Sequence, residues 1–253
     1  MWPVTALRNV AVVLAGGTGT RVGLDIPKQL IEIAGKPIIE HTIAAMQGSP
    51  LIDEILVMMA PGYLDEVRAV VRRGGYDKVS QVLEGALTRN DTTAAALAAV
   101  GDDECNVLLH DAVRPLVSQT IIAANVEALK SHEAVVTAIG SADTLIRVAA
   151  DTGQIDDVLP RHLLRRGQTP QSFRLSTIRA AYAKAAQDPG FTATDDCTVV
   201  LRYLPEVPIA VVPGHERNMK VTEPIDVYIA DKLFQLTAAD PRPSWATRST
   251  PRA

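Results

Sequence analysis

The sequence predicts an α/β fold built on a doubly wound, mostly parallel β-sheet. Continuous apolar runs have the length and hydrophobicity of strands covered on both faces, and they lie at 10–15, 55–60, 106–110 and 134–139. Helical stretches separate or follow them, at 37–47, 63–73, 91–100, 118–130 and 174–187. Because ligands bind beyond the carboxyl ends of such strands, the loops after residues 15, 60 and 110 form the expected site.

Residues 141–162 interrupt this alternation, with two strand-like pieces around the turn signal Asp151-Thr152-Gly153. The excursion is interpreted as a lid, a dimerisation arm or a surface loop. Further on, residues 218–234 predict a short strand and a final helix that begins near Thr222-Glu223-Pro224. Residues 1–236 are thus expected to form one domain. Residues 237–253, rich in Pro, Ser, Thr and Ala, are expected to be a disordered tail.

Composition narrows the class of protein. The chain of 253 residues is 47% hydrophobic and 21% charged, as in ordinary globular enzymes. Only 4% of residues are aromatic and the net charge is −4, which argues against a nucleic-acid partner. Cys105 and Cys197 form no CxxC pair, which gives no zinc signal and fits a reducing compartment. Without a leader or an apolar run of about 20 residues, we expect a cytoplasmic protein with no membrane partner.

The first strand runs into Gly16-Gly17-Thr18-Gly19, a loop whose backbone N–H groups can approach an anion. A tight glycine turn without a ligand is the plain alternative. A dinucleotide site needs a third glycine in an unbroken helix, but Gly23 is one residue too far and Pro27 ends the helix early. A Walker A loop also fails, because no Gly-Lys-Ser/Thr follows.

Two sets of charged residues accompany these loops. Arg21 and Lys28 supply cations for a triphosphate and its leaving pyrophosphate, although either alone is an ordinary surface residue. At the end of the 106–110 strand, Asp111 is suited to a Mg²⁺–phosphate group or a sugar hydroxyl, and Arg114 to a second phosphate. An Asp–Arg ion pair that holds the loop is the structural alternative. His110 is interpreted as a packed histidine at the strand end and is given no role.

Seven motifs occur in order between residue 10 and about residue 234: LAGGTGTRVG…PKQ, TRNDT, HDAVRP, DTLIR, QTPQSF, TDD and NMKVTEP. With them the chain resembles the family that includes 2-C-methyl-D-erythritol 4-phosphate cytidylyltransferase and D-ribitol-5-phosphate cytidylyltransferase. The resemblance implies a Rossmann-like, GT-A-like nucleotidyltransferase fold with a protruding β-arm. It also implies transfer of CMP from CTP to a polyol phosphate, with release of pyrophosphate and with Mg²⁺ as cofactor.

The resemblance assigns a role to each matching residue. Arg21, Lys28 and Lys220 would be catalytic. The CTP-binding residues would be Ala15, Gly16, Gly17, Thr18, Gly19, Thr20, Gly85, Arg89, Asn90, Thr92 and Ala112. The acceptor-binding residues would be Asp111, Arg114, Thr144, Arg161 and Thr169, with Asp111 also the candidate ligand for a Mg²⁺ held mainly by CTP.

The 141–162 excursion would then be the dimerisation arm of a homodimer, from which Arg161 reaches the neighbouring site. The plain alternative for Arg161 is an exposed basic turn. No nucleophilic side chain is required, because the acceptor phosphate is already an anion, and Cys105 and Cys197 are given no catalytic role.

The identity of the acceptor depends on a few positions. The Gly-Gly-Thr-Gly loop, Val113 and Cys197 look closer to the ribitol branch, and they favour D-ribitol 5-phosphate over 2-C-methyl-D-erythritol 4-phosphate. Two other classes compete with this interpretation. A nicotinamide-dependent oxidoreductase is opposed by Pro27, and a non-catalytic nucleotide sensor by the presence of Arg21, Lys28, Asp111 and Lys220.

Overall fold

The structure is a computed structural model that describes residues 7–17, 26–86, 88–188, 190–191 and 193–239. Residues 237–239 are described by their backbone only. The strands of this part of the chain are β1 (Asn9–Ala15), β2 (Glu32–Ile33), β3 (Lys36–Pro37), β4 (Glu54–Met59), β5 (Val79–Glu84), β6 (Asn106–Asp111), β7 (Ala134–Gly140), β8 (Ile146–Val148), β9 (Ile155–Val158), β10 (Arg165–Arg174) and β11 (Ile209–Pro213). The helices are α1 (Ile38–Gln47), α2 (Leu64–Gly74), α3 (Arg89–Ala99), α4 (Gln119–Ala128), α5 (Leu175–Ala185), α6 (Asp196–Tyr203) and α7 (Pro224–Ala239).

Seven strands form the central sheet, in the order β11-β7-β10-β6-β1-β4-β5. Neighbouring strands pair in parallel except around β10, which runs antiparallel to both β6 and β7. The register of β10 on β7 shifts between Gln168 and Gln171. The parallel strands therefore end at one edge of the sheet, where the loops after β1, β5 and β6 meet.

Alternate residues of β1 enter two different cores. Val10 and Val12 pack in the cluster formed with α3, α5 and α6, whereas Ala11 and Val13 pack in the cluster formed with α1, α2 and α4. A strand buried on both faces has no polar side to alternate with, which explains its continuous apolar sequence. The doubly wound, mostly parallel fold predicted from the sequence is confirmed.

The four apolar strands and the five helices predicted with bounds are all present, and each begins and ends within two residues of the expected positions. The sequence did not predict β5, β10 or α6. Two of these lack a continuous apolar run: β5 is a half-exposed edge strand, and β10 carries Arg, Gln and Pro residues. Helix α6 begins at a side-chain cap, because Asp195 accepts the Thr198 N–H at 2.8 Å.

The prediction of a short strand just before the last helix is wrong. Residues 218–223 lie in no strand, and Val221 N instead donates to Val113 O at 2.8 Å, which ties this segment to the loop after β6. The last helix continues to Ala239, three residues beyond the expected domain end at 236. Residues 240–253 of the expected tail lie outside the described residues.

The excursion at 141–162 is a two-stranded antiparallel arm. Strands β8 and β9 pair with each other in a sheet of their own, and Gly153 in the connecting turn has φ +67. Large apolar side chains on and beside the arm are exposed: Ile146, Val148, Ile155, Val158 and Leu163. The hairpin predicted around Asp151-Thr152-Gly153 is present.

None of the helices in the described part of the chain is both long enough and apolar enough to cross a bilayer.

Candidate active site

A cavity lies over the carboxyl ends of β1, β5 and β6. Among the described residues, three cationic side chains and one carboxylate face it. The described lining residues are Leu14, Ala15, Gly16, Gly17, Lys28, Gln29, Ala86, Thr88, Arg89, Thr92, Asp111, Val113 and Lys220. Cations clustered around a glycine loop suit a polyanionic ligand. The structure thus brings together most of the described residues predicted for the triphosphate.

The glycine loop is held from below by Gln29, a buried residue that the sequence did not single out. Its Nε2 donates to Ala15 O at 2.6 Å and to Gly17 O at 3.0 Å. A Cβ placed on Gly85 would lie 3.0 Å from Gly16 Cα, so the two loops touch backbone to backbone. Gly85 therefore supports the glycine loop directly.

Four predicted residues of this loop, Thr18, Gly19, Thr20 and Arg21, lie outside the described residues. Their roles stay predictions.

Lys28 reaches the cavity from a short 3₁₀ turn, Lys28–Leu30, that begins after Pro27. Leu30 N donates to Pro27 O at 2.9 Å, which closes the turn. Burial by itself raises the pKa of the nearby Asp226 carboxyl. Hydrogen bonds from Glu223 and Thr222 and the charge of Lys28 outweigh this effect, so the pKa lies below its usual value. Pro27 thus starts a tight turn that places Lys28 beside the glycine loop, where a dinucleotide-binding helix would have continued.

Thr92 joins the start of α3 to the loop after β5. Its Oγ1 accepts from Ala86 N at 3.0 Å and donates to Thr88 O at 2.8 Å. Arg89 and Thr92 line the cavity, and the CTP-binding role that the resemblance implies for them stays a prediction. Asn90 does not line it, and the buried Oδ1 of Asn90 has no hydrogen-bond partner in the part of the chain that the structure describes.

Arg89 is paired with Asp196, a residue to which the sequence assigned no role. Arg89 Nη2 lies 2.7 Å from Asp196 Oδ2, and the Asp196 side chain is 0% exposed. Burial by itself lowers the pKa of the Arg89 guanidinium, but the Asp196 carboxylate raises it above its usual range. Tyr182 donates its hydroxyl to Asp196 Oδ1 at 2.7 Å, and Gln171 Oε1 accepts the Asp196 N–H at 2.9 Å. The TRNDT, QTPQSF and TDD motifs therefore meet in one buried cluster.

Asp111 binds two cations at the end of β6. Its Oδ2 lies 3.1 Å from Lys220 Nζ and 3.3 Å from Arg114 Nε. Burial raises the pKa of the Asp111 carboxyl, yet the charges of Lys220, Arg114 and Arg89 together hold it well below its usual range. Arg114 is buried and also donates to Asn218 O at 2.8 Å. For Arg114 the structure shows the ion-pair alternative, and the residue does not line the cavity.

The remaining predicted residues do not line the cavity of the same chain. Ala112 and Thr169 are buried and do not line it. Ala112 N donates to Leu14 O at 2.9 Å, and its carbonyl accepts from Thr42 Oγ1 at 2.7 Å. Thr144 and Arg161 are exposed near the arm, where Arg161 Nη1 donates to Ala142 O at 2.8 Å.

The described lining residues include no Ser, Cys or His. Both cysteines are buried, and burial raises the pKa of the Cys105 and Cys197 thiols, so neither is a ready nucleophile. A cationic cavity whose described lining contains no Ser, Cys or His, above the carboxyl edge of this sheet, suits direct attack of an anion on a nucleotide phosphorus. Fold and site together define a nucleotidyltransferase.

Comparison with known proteins makes the class specific. The family model IspD, 2-C-methyl-D-erythritol 4-phosphate cytidylyltransferase, matches residues 9–236. The chain belongs to this family and is a CTP-dependent cytidylyltransferase, in agreement with the resemblance seen in its motifs. The enzymes of this family use CTP and a sugar phosphate.

Individual relatives differ in the acceptor that their names state. A 2-C-methyl-D-erythritol 4-phosphate cytidylyltransferase from Thermobifida fusca is 48% identical over 237 residues, which is 92% of this chain and 95% of that protein. The bifunctional ribulose 5-phosphate reductase/CDP-ribitol pyrophosphorylase Bcs1 of Haemophilus influenzae is 40% identical, over 90% of this chain and 48% of that protein.

Solved structures agree with the fold. The 4-diphosphocytidyl-2C-methyl-D-erythritol synthase of Anaerococcus prevotii superposes with a TM-score of 0.81 at 28% identity, covering 91% of this chain and 100% of that chain. A 2-C-methyl-D-erythritol 4-phosphate cytidylyltransferase from Thermus thermophilus gives 0.72 at 30% identity, covering 90% of this chain and 99% of that chain.

Proposed function

We propose that the enzyme transfers CMP from CTP to 2-C-methyl-D-erythritol 4-phosphate and releases pyrophosphate. The observation that carries the chemistry is the cavity in which Lys28, Arg89 and Lys220 lie around the glycine loop, and whose described lining contains no Ser, Cys or His. The acceptor is proposed from the comparisons, in which the Thermobifida relative is more similar and is matched over nearly its whole length.

The sequence-based preference for ribitol 5-phosphate is therefore replaced. One of its supports, Cys197, is a buried residue of α6 in an apolar cluster and does not line the cavity. Val113 does line the cavity, and with the Haemophilus relative it keeps ribitol 5-phosphate as the second candidate.

In the proposed reaction an anionic oxygen of the acceptor phosphate attacks the α-phosphorus of CTP. A new P–O bond forms, the bond from the α-phosphorus to the oxygen that bridges to the β-phosphate breaks, and pyrophosphate leaves with that electron pair. No side chain has to take a proton. Lys28 and Lys220, with Arg21, would compensate the negative charge that builds up around the α-phosphorus.

We also propose Mg²⁺ as the cofactor, bound mainly through the CTP phosphates. No group of three His, Cys, Asp or Glu suited to a metal ion occurs among the described residues, and Asp111 is the one carboxylate among those that line the cavity. This donor set fits Mg²⁺, which commonly takes one carboxylate together with substrate phosphates. Asp111 would be the protein ligand, and the ion would neutralise phosphate charge.

Pyrophosphate release with CTP and Mg²⁺ tests the acceptor. The panel contains 2-C-methyl-D-erythritol 4-phosphate, ribitol 5-phosphate and glycerol 3-phosphate, each assayed for pyrophosphate and for its CDP product. We expect kcat/KM for the first to exceed that for the others by roughly 100-fold, because a site built to hydrogen-bond one polyol rejects others. A preference for ribitol 5-phosphate would reverse the choice, and no release with any acceptor would refute the proposal.

We propose further that the arm forms a homodimer. Ile146, Val148, Ile155 and Val158 expose apolar surface on a hairpin that is separate from the central sheet, as expected of an interaction site. Arg161 at the base of this arm would then serve the site of the second subunit, which suits its exposure and its absence from the cavity of its own chain.

Mixing two inactive variants tests this arrangement. In a dimer of Arg161→Ala with Lys28→Ala, one site would contain Lys28 from one subunit and Arg161 from the other. After equal mixing and subunit exchange we expect about one quarter of the wild-type activity, because half of the dimers are mixed and each has one intact site. No recovery, with exchange verified by mass spectrometry, would show that Arg161 acts within its own chain or not at all.

A further inference from the structure

We propose that Gln29 is a positioning residue that turns the N–H side of the glycine loop towards the triphosphate and ties the Lys28 turn to that loop. This role rests on the proposed function, because it takes the cavity to hold CTP. Gln29 belongs to none of the residue sets that the sequence predicted for catalysis, CTP or the acceptor. It is 1% exposed, yet it lies at the wall of the cavity next to Lys28.

The hydrogen bonds of Gln29 fix the direction in which its amide faces. Nε2 lies 2.6 Å from Ala15 O and 3.0 Å from Gly17 O, and Met59 Sδ lies 4.0 Å away as a weaker third contact. Because carbonyl oxygens only accept, the amide nitrogen and not the amide oxygen faces them. The two hydrogens of Nε2 are therefore donated to two carbonyl groups of the glycine loop.

This anchoring sets the direction of the first peptide group of the loop. Ala15 O also accepts from Ala60 N at 3.1 Å, which places this oxygen on the β4 side of β1. In a planar trans peptide the N–H points opposite to the C=O, so the Gly16 N–H points to the other side, towards β6. Asp111, the last residue of β6, lines the cavity together with Gly16. Gln29 thus holds carbonyl oxygens, which would repel phosphate, on its own side and leaves N–H groups for the anion.

The same side chain joins the glycine loop to the Lys28 turn. Lys28–Leu30 forms a 3₁₀ turn in which Ile31 N donates to Lys28 O at 3.1 Å. Gln29 is the middle residue of this turn, so its bonds to the loop restrict where the backbone of Lys28 can lie. Turn and loop are therefore held as one unit. Such preorganisation matters when catalysis depends on alignment and charge compensation.

Two simpler roles for Gln29 do not fit. Direct binding of a phosphate would need an N–H that is not already donated, but both Nε2 hydrogens go to the loop, and the amide oxygen would repel an anion. A residue that only fills the core would be apolar, because a buried amide loses its hydration and must regain it through directed bonds. Gln29 is therefore assigned to positioning and not to catalysis itself.

Ligand titrations of Gln29→Met and Gln29→Glu test the effect on the loop. Met keeps the length of the side chain without the two donors, and Glu puts a carboxylate against two carbonyl oxygens. We expect the Kd for CTP and for pyrophosphate to rise about 10-fold in Gln29→Met and more in Gln29→Glu, because charge-assisted bonds from the loop are lost. The Kd for cytidine should stay within twofold of wild type. Calorimetry without acceptor measures all three, with pyrophosphate and cytidine in competition with CTP.

Gln119→Met is the matched control for these titrations. Gln119 Nε2 also donates to a backbone carbonyl, that of Ala45, at 2.8 Å, but Gln119 is exposed and does not line the cavity. Wild-type affinities are expected for this variant. An equal loss of cytidine affinity in Gln29→Met would overturn the proposal, because it would show general damage to the site, and so would an unchanged Kd for pyrophosphate.

Kinetics of Gln29→Met, Lys28→Ala and the double variant test the tie to Lys28. We expect Gln29→Met to lower kcat at saturating CTP about 10- to 100-fold. The double variant should lose little more than Lys28→Ala alone, because a lysine that is absent cannot also be misplaced. Losses that multiply in the double variant would show that Gln29 does not act through Lys28 and would overturn this part of the proposal.

A measurement on the wild-type protein decides the case in which the Gln29 variants do not fold. ¹H–¹⁵N NMR is expected to show both Nε2 protons of Gln29 protected from exchange with water, and rapid exchange of either proton would overturn the proposal. If the wild-type protein prefers ribitol 5-phosphate, or releases no pyrophosphate with any acceptor, the proposed function fails. The titrations and the exchange measurement contain no acceptor, so they still decide the role of Gln29.

Discussion

Replacing Lys28 with alanine is expected to lower kcat about 10²- to 10³-fold while weakening CTP binding by less than about 10-fold. Lys28 lines the cavity beside Gly16 and Gly17, on a turn fixed by Pro27 and Gln29. Its charge is proposed to matter most when negative charge builds up on the phosphates in the transition state. Removing a group of this kind mainly affects turnover, whereas ground-state affinity is spread over the whole loop.

The measurement pairs steady-state pyrophosphate release with calorimetric titration of CTP. Lys36→Ala is the matched control, because Lys36 is half-exposed, pairs with Glu40 at 3.4 Å and does not line the cavity. Wild-type kinetics are expected for the control. Turnover of Lys28→Ala within twofold of wild type would contradict the role of Lys28, and if CTP affinity fell while turnover stayed at that level, Lys28 would be a binding residue only.

The substitution Asp196→Asn is expected to destabilise the fold by about 3 kcal/mol and to raise the KM for CTP, because breaking a buried ion pair leaves a charge uncompensated. Asp196 is 0% exposed and its Oδ2 lies 2.7 Å from Arg89 Nη2. Arg89 Nη1 is buried without a hydrogen-bond partner among the described residues, and the carboxylate that pairs with the guanidinium there is that of Asp196. Without it, we expect Arg89 to leave its position at the cavity wall.

Chemical denaturation and CTP titration of the folded variant measure the two effects. Asp65→Asn is the control, because its partner Arg68 lies at 3.0 Å but the Asp65 side chain is 90% exposed. A surface pair of this kind contributes about 0–1 kcal/mol. If Asp196→Asn lowered the free energy of unfolding no more than the control does, the buried ion pair would not stabilise the fold as proposed. If stability fell but the KM for CTP stayed constant, Asp196 would have no part in placing Arg89.

Much of the fold follows from local pattern. Strands such as β1 and β4 are continuous apolar runs because both faces are buried, and turn signals mark their ends. Strand β10 escapes this logic, since its QTPQSF segment is polar and contains Pro170, yet six of its residues are buried between β6 and β7. The polar side chains of β10 form hydrogen bonds to residues of other elements. Their polarity can therefore be explained only by the position of the strand in the folded chain.

The sequence by itself determined the doubly wound α/β fold, the glycine loop with Lys28 behind Pro27, and the cytidylyltransferase motifs, because these features are encoded in local runs and short spacings. Tertiary structure decided that Asp196 pairs with Arg89, that Arg114 is bound to Asp111, and that Thr169 lies under the site with His110. Such contacts join residues far apart in the chain or depend on burial. The sequence offered the Asp111–Arg114 pair only as an alternative and predicted none of the other contacts, because their strength depends on burial that exists only in the folded chain.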